Sequence, residues 1–232
     1  MRRFLLPADA ARMVYRLARG EFIPPQVDDT ELTPLEKAVR QYQAQRLADT
    51  HADLAVDPEF APAAHFFLTD IYADRDFARR DAELEALYDF VRPVMPTEAI
   101  ESMANAVALN NLTHELDGHM VQRLQALGAT DDFTDAQYAA AYRQGNYEAR
   151  VTQIDLVVAL LRQVAGLQNV PFIGTALTAT RGAAQRMGWG TLHSFLERGY
   201  TAWNGVADPD LFVQIIERRE RDLNDRLFSK AA

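Results

Sequence analysis

Cysteine does not occur anywhere in the 232 residues of this chain. Its absence excludes disulfide bonds, thiolate metal sites and cysteine nucleophiles. A chain of this length can bury an ample hydrophobic core, so it needs no covalent cross-link. The lack of cysteine agrees with a reducing compartment, and we therefore expect a cytoplasmic protein.

Long apolar runs are also lacking. The longest extends from Leu156 to Leu161, which is far short of the roughly 20 residues that cross a bilayer. The apolar run after Arg2 and Arg3 is too short for a signal peptide and is soon followed by Asp9. We expect neither export nor contact with a membrane.

Positive charge is scarce, because 24 lysines and arginines face 33 acidic residues and leave a formal net charge of −9. Nucleic-acid binding relies on a surplus of basic side chains on one face. The arginines clustered at residues 218–226 alternate with glutamate and aspartate, which is typical of a solvated, salt-bridged helix face. The composition therefore predicts no nucleic-acid partner.

Alternating apolar and polar runs, which mark β-strands, are too short to predict any strand, whereas helix start signals recur. Thr33, Pro34 and Glu36 combine an N-cap, a first-turn proline and a capping-box acid, and Thr134 with Gln137 forms a second capping box. In chain order, the predicted helices cover residues 34–55, 62–72, 77–91, 97–127, a segment from 135, 147–168, 171–188, 190–203 and a segment from 209.

Domain boundaries are hard to find in this pattern. The best loop, at residues 20–29 with Pro24 and Pro25, is too short to be a domain linker. We find no repeat of fixed period and no low-complexity segment. The sequence thus predicts one all-α domain over residues 1–232, a multi-helix bundle of about nine or ten helices, with residues 1–32 as an N-terminal helical arm and loop.

Polar side chains interrupt three of the predicted apolar helix stripes. Asn111 and His114 fall on the stripe of the central helix, Arg80 on that of the helix before it, and Arg150 on that of residues 147–168. A buried polar or charged group costs several kcal/mol unless it is paired. These four residues therefore predict a non-catalytic binding or interaction protein, in which they form an internal salt-bridged network or line a pocket for a small acidic ligand, since a guanidinium suits carboxylate or phosphate.

A metal site is the rival interpretation. His114 and Asp117 are three residues apart on one helix, so both can reach one ion. This arrangement predicts a helical-bundle metalloenzyme with His114 as base or ligand, against the alternative of a structural histidine. The sequence lacks paired Glu-x-x-His motifs, His-Glu-x-x-His and phosphate-binding loops. Whether the protein is an enzyme, and with which cofactor, stays open at this point.

The predicted helix from Pro171 to Gly188 carries small residues at helical spacing. Small side chains allow another helix to approach closely. The helix is therefore a candidate face for a homo-oligomer, with close packing inside one chain as the alternative.

Several scattered motifs resemble those of an uncharacterised all-helical family from proteobacteria. They are the string from His65 to Tyr72, Asp76-Phe77 with Arg80-Asp81, Gly190-x-Leu192, Phe195-Leu-Glu-x-Gly-Tyr200 and Arg219-Glu220. The resemblance covers most of the chain after residue 65 and implies an all-helical fold. It implies no activity and no role for any residue, so it does not separate an enzyme from a binding or interaction protein.

Overall fold

The computed structural model of the protein describes residues 32–71, 78–91, 97–166 and 173–229, together with Arg16, Arg19 and Pro25. These described residues form ten α-helices and one π-helical turn, and they contain no β-strand. The prediction of an all-α bundle is confirmed. The proposed N-terminal arm, residues 1–32, lies almost wholly outside the described residues.

The ten helices follow one another through mostly short connections. They are α1 Pro34–Thr50, α2 Ala52–Val56, α3 Ala61–Phe66, α4 Ala78–Val91, α5 Thr97–Ala126, α6 Asp135–Arg143, α7 Tyr147–Gly166, α8 Ile173–Met187, α9 Gly190–Trp203 and α10 Pro209–Ser229, and the π-helical turn Phe67–Ile71 continues α3. None of them combines the length and the apolar character that a membrane span requires.

Local capping explains where several helices begin and end. The Thr33–Glu36 and Thr134–Gln137 capping boxes are both present, as predicted. Gly128 has a φ of 70° beyond the end of α5, a conformation that glycine adopts without strain. The predicted helix 34–55 is in fact two helices, because the backbone leaves helical geometry at His51.

Two apolar clusters form the core. One contains Leu161, Trp203 and Phe212 and joins α3, α7, α9 and α10. The other contains Met120 and Tyr138 and joins α1, α5 and α6. Helix α5 packs against α1, α4, α6 and α7, which confirms the predicted central position of this helix between the helices that carry Arg80 and Arg150.

Candidate functional site

Arg80, on α4, is held by protein groups on several sides. Its Nε and Nη2 donate hydrogen bonds of 2.8 and 2.7 Å to Asp81 Oδ1, and its Nη1 donates one of 2.6 Å to the carbonyl oxygen of Asp70. The guanidinium also lies over the ring of Phe195, 4.9 Å from its centroid. The positive charge of Arg80 is thus neutralised inside the protein.

Asn111 and His114 do not point into the core as the stripe predicted. Asn111 is exposed, and the side chain of His114 is 51% exposed. The buried face of α5 carries Leu116, Met120 and Leu124, together with Val121 of the predicted stripe. The helix is therefore rotated relative to the sequence prediction.

His114 sits at the edge of the Arg80 cluster. Its Nε2 is 3.7 Å from Asp81 Oδ2. Hydrogen bonding to the Asp81 carboxylate raises the pKa of His114 despite partial burial. When protonated, His114 is therefore a second, weaker cation beside Asp81.

Because the buried face of α5 differs from the predicted stripe, a different set of polar residues lies at its interface with α7. Gln153 Nε2 donates to Thr113 Oγ1 at 2.8 Å, and Gln153 Oε1 accepts a hydrogen bond from Arg150 Nη1 at 2.9 Å. Arg150, only 8% exposed, also lies over the ring of Tyr142 at 4.9 Å. We call Thr113, Asp117, Arg123, Arg150 and Gln153 the polar seam.

A second guanidinium, that of Arg123, belongs to the same seam. Burial lowers the pKa of Arg123, and the positive charge of Arg150 lowers it further. Arg123 is partly exposed, and its Nη1 lies 3.3 Å from the position that a Cβ on Gly145 would take. The seam thus reaches solvent beside the connection between α6 and α7.

The cations of the seam have few protein partners. Among the described residues, neither Arg123 nor Arg150 forms an ion pair with a carboxylate. Arg150 uses one nitrogen for Gln153 and its face for Tyr142, which leaves further N–H groups available. The arrangement therefore leaves positive charge without a directly bonded acid.

Asp117 is the acidic member of the seam. Its Oδ1 is shielded from solvent and has no hydrogen-bond partner within the part of the chain that the structure describes. Burial raises the pKa of Asp117. The positive charges of Arg150 and Arg40 and hydrogen bonding to the Gln43 side chain lower this pKa, but burial has the larger effect. One carboxylate thus faces a surplus of positive charge without bonding directly to it.

A nearby buried cluster shows how this fold compensates a charge fully. Glu220 Oε2 accepts a hydrogen bond from Arg46 Nη1 at 3.1 Å, and Glu220 Oε1 lies 3.0 Å from the Nε2 of the fully buried His51. Burial would raise the pKa of Glu220, but Arg46 and His51 outweigh it and the pKa is lowered. This cluster holds α1 against α10.

Both residues of the proposed metal pair lie among the described residues. His114 is beside Asp81, and the charges of His114 and Asp117 act on each other. In the described residues, no group of three or more histidine, aspartate or glutamate side chains is arranged to hold a metal ion. The His114–Asp117 site therefore stays a prediction with two ligands.

Helix α8, the predicted oligomer face, packs chiefly against α9. A Cβ on Gly174 would come within 2.7 Å of Tyr200 Cε1, so this small residue serves close packing inside the chain. Ala179 and Gly182 are exposed. Self-association through residues 171–188 stays a prediction.

A surface recess of about 470 Å³ lies away from the seam, between α4 and the turn that joins α8 to α9. Its buried Glu83 accepts a hydrogen bond from the Leu192 N–H at 2.8 Å, near the start of α9. The carboxylate is thus used to cap a helix. We therefore place the candidate functional site at the polar seam, because its arginines have no ion-paired carboxylate among the described residues.

Sequence reasoning found two members of the seam and missed the others. Arg150 was a candidate ligand-binding residue and Asp117 a candidate metal ligand, whereas Arg123, Thr113 and Gln153 carried no distinguishing pattern. Arg123 joins the site only because α5 and α7 pack together. No periodicity within one helix could have indicated that pairing.

Comparison with known protein families finds a match over most of the chain. A family model described as a domain of unknown function (DUF8198) matches residues 23–232. No curated protein matches the chain, and no solved structure matches it.

Proposed function

Because this chain belongs to the family of the domain of unknown function DUF8198, to which no activity is attached, we propose a function from its geometry: the protein binds a small acidic ligand at the polar seam. Arg123 and Arg150 hold the carboxylate or phosphate group of that ligand. The role is one of binding rather than of catalysis. The observation that carries the proposal is the buried guanidinium of Arg150, whose charge acts on Arg123 and which has no ion-paired acid among the described residues.

The charge balance supports an anion at this place. A buried charge is strongly unfavourable unless it is paired, and the other inward arginines, Arg46 and Arg80, each have a carboxylate partner. The charge of Arg150 acts on the Asp117 carboxylate and on Arg123, and neither arginine is ion-paired among the described residues. One bound anion would compensate the remaining positive charge.

The seam also has the geometry that anion recognition needs. Gln153 anchors one nitrogen of Arg150, and Tyr142 packs against the face of its guanidinium. These contacts fix the plane of the group before a ligand arrives, which reduces the entropy lost on binding. The free N–H groups can then form the two parallel hydrogen bonds that carboxylate and phosphate accept.

Isothermal titration calorimetry with inorganic phosphate and with succinate tests the proposal. We expect Arg150→Gln and Arg123→Gln each to weaken binding about tenfold or more, because each removes a charge-assisted hydrogen bond. Arg162→Gln is the matched control, since Arg162 is an exposed arginine on the same helix as Arg150. Arg123 is partly exposed, so its variant should fold even if the Arg150 variant does not.

Two results would contradict the proposal. Wild-type protein that binds neither probe would remove its basis. Equal affinities for wild type, Arg150→Gln and Arg123→Gln would place any anion elsewhere. Stoichiometric metal in the purified protein, lost in His114→Ala, would instead favour the metalloenzyme alternative.

A further inference from the structure

The unsatisfied oxygen of Asp117 points to a second requirement on the ligand. Asp117 Oδ1 is shielded from solvent and lacks a hydrogen-bond partner in the described residues. Buried acceptors without partners are rare in native proteins, and each requires an explanation. A partner that arrives with the ligand provides one.

The packing of α5 and α7 places this oxygen near the anion site. Thr113 bonds to Gln153, while Arg123, later in α5, approaches Gly145, just before α7. The two helices therefore run antiparallel. Asp117 lies one turn after Thr113, and Arg150 one turn before Gln153. The two groups consequently occupy the same level of the seam.

The two groups are close but do not bond to each other. The positive charge of Arg150 acts on the Asp117 carboxylate, yet the structure shows no ion pair between the two residues. Arg150 is instead bonded to Gln153. The Asp117 carboxylate is thus an acceptor, and the Arg150 guanidinium a donor, at the same helix interface. The two groups do not form a hydrogen bond with each other.

We propose, building on the anion site, that the ligand is a small acid with a hydroxyl or ammonium group beside its carboxylate. The carboxylate binds Arg123 and Arg150, and the adjacent hydroxyl or ammonium group donates a hydrogen bond to Asp117 Oδ1. The ligand class is therefore that of hydroxy acids and amino acids. A plain carboxylate or inorganic phosphate would leave Asp117 unsatisfied and bind more weakly.

Succinate, malate and aspartate form a matched set of probes. Malate adds one hydroxyl to succinate, and aspartate adds one ammonium group at the same carbon. We expect wild type to bind malate or aspartate about tenfold more tightly than succinate, since a hydrogen bond to a charged group contributes about 1.4 kcal/mol or more. Calorimetry measures all three affinities, and the stronger of the two substituted acids identifies the donor.

Asp117→Ala then tests the assigned acceptor. In this variant we expect succinate still to bind. Its dissociation constant should be close to that of malate or aspartate, so that the ratio of the two constants is near one. Removing an unsatisfied buried acceptor should not prevent folding. Asp117→Asn, which keeps the shape and one acceptor oxygen, should retain selectivity for malate better than selectivity for aspartate. The ratio is measured within one variant, so a general loss of stability does not affect it.

The outcomes separate this inference from the anion site. If wild type binds all three acids equally and Arg150→Gln weakens all of them, the inference is wrong and the anion site stands. If selectivity persists in Asp117→Ala, the donor contacts another residue and the inference is again wrong. If none of the three acids binds, both proposals fall.

Discussion

Arg80 and Arg150 are largely buried arginines on two helices that pack against α5, yet their surroundings differ. Arg80 has a carboxylate, a backbone carbonyl and an aromatic face around it. Arg150 has an amide and an aromatic face and, among the described residues, no ion-paired carboxylate. Arginine in a similar apolar pattern thus stabilises the fold at position 80. At position 150 it keeps N–H groups that can bind a ligand.

The largest expected effect separates the two arginines by stability. Arg80→Met should destabilise the protein by about 3–5 kcal/mol, because it leaves the Asp81 carboxylate buried without its main cation. Urea denaturation measures the change. The double variant Arg80→Met/Asp81→Asn is the control and should recover much of the loss. A loss below about 1 kcal/mol in the single variant would show that Arg80 is not needed to neutralise Asp81.

A smaller effect is expected at the seam. Arg150→Met removes a hydrogen bond to Gln153 but separates no ion pair in the described residues, so without ligand it should destabilise by about 1 kcal/mol. The same urea experiment checks it beside Arg80→Met. If both variants lost equal stability, Arg150 would be as structural as Arg80 and the comparison would fail.

The smallest effect concerns His114 and depends on pH. Hydrogen bonding to Asp81 raises the folded-state pKa of His114 above its ordinary value of about 6.5, so protonated His114 stabilises the fold. This contribution is full below about pH 6.5 and is lost as the pH rises through the raised pKa. Because the side chain is half-exposed, we expect only a few tenths of a kcal/mol.

Measuring stability between about pH 5.5 and 8.5 tests this prediction, because this range spans the pKa of histidine. His114→Gln should remove the decline with rising pH, whereas His119→Gln, at another half-exposed histidine, should retain it. An unchanged pH dependence in His114→Gln would show that Asp81 and His114 do not interact in solution.

Much of the fold followed from local signals in the chain. The capping boxes at Thr33 and Thr134 marked helix starts that the structure confirms. Local hydrogen bonds decide such ends, so a short sequence window contains the needed information. The sequence pattern did not indicate the break at His51, whose side chain contacts Glu220 far away in the sequence.

The candidate site was less predictable. The apolar stripe on α5 placed Asn111 inward, but the neighbouring face with Leu116 and Met120 is the buried one. Two adjacent faces of a helix can have similar apolar content, and only packing against other helices selects between them. The effect of the Arg150 charge on Arg123 likewise depends on tertiary packing that no single-helix pattern encodes.

The most direct test of the central difference is the calorimetric titration of Arg150→Gln and Arg80→Met with succinate under identical ionic strength. We predict that Arg80→Met, although less stable, binds succinate with the affinity of wild type. Arg150→Gln should remain folded and lose about tenfold or more in affinity. Equal affinities in Arg150→Gln and wild type, or a selective loss of binding in Arg80→Met, would contradict the assignment of the ligand site to the polar seam.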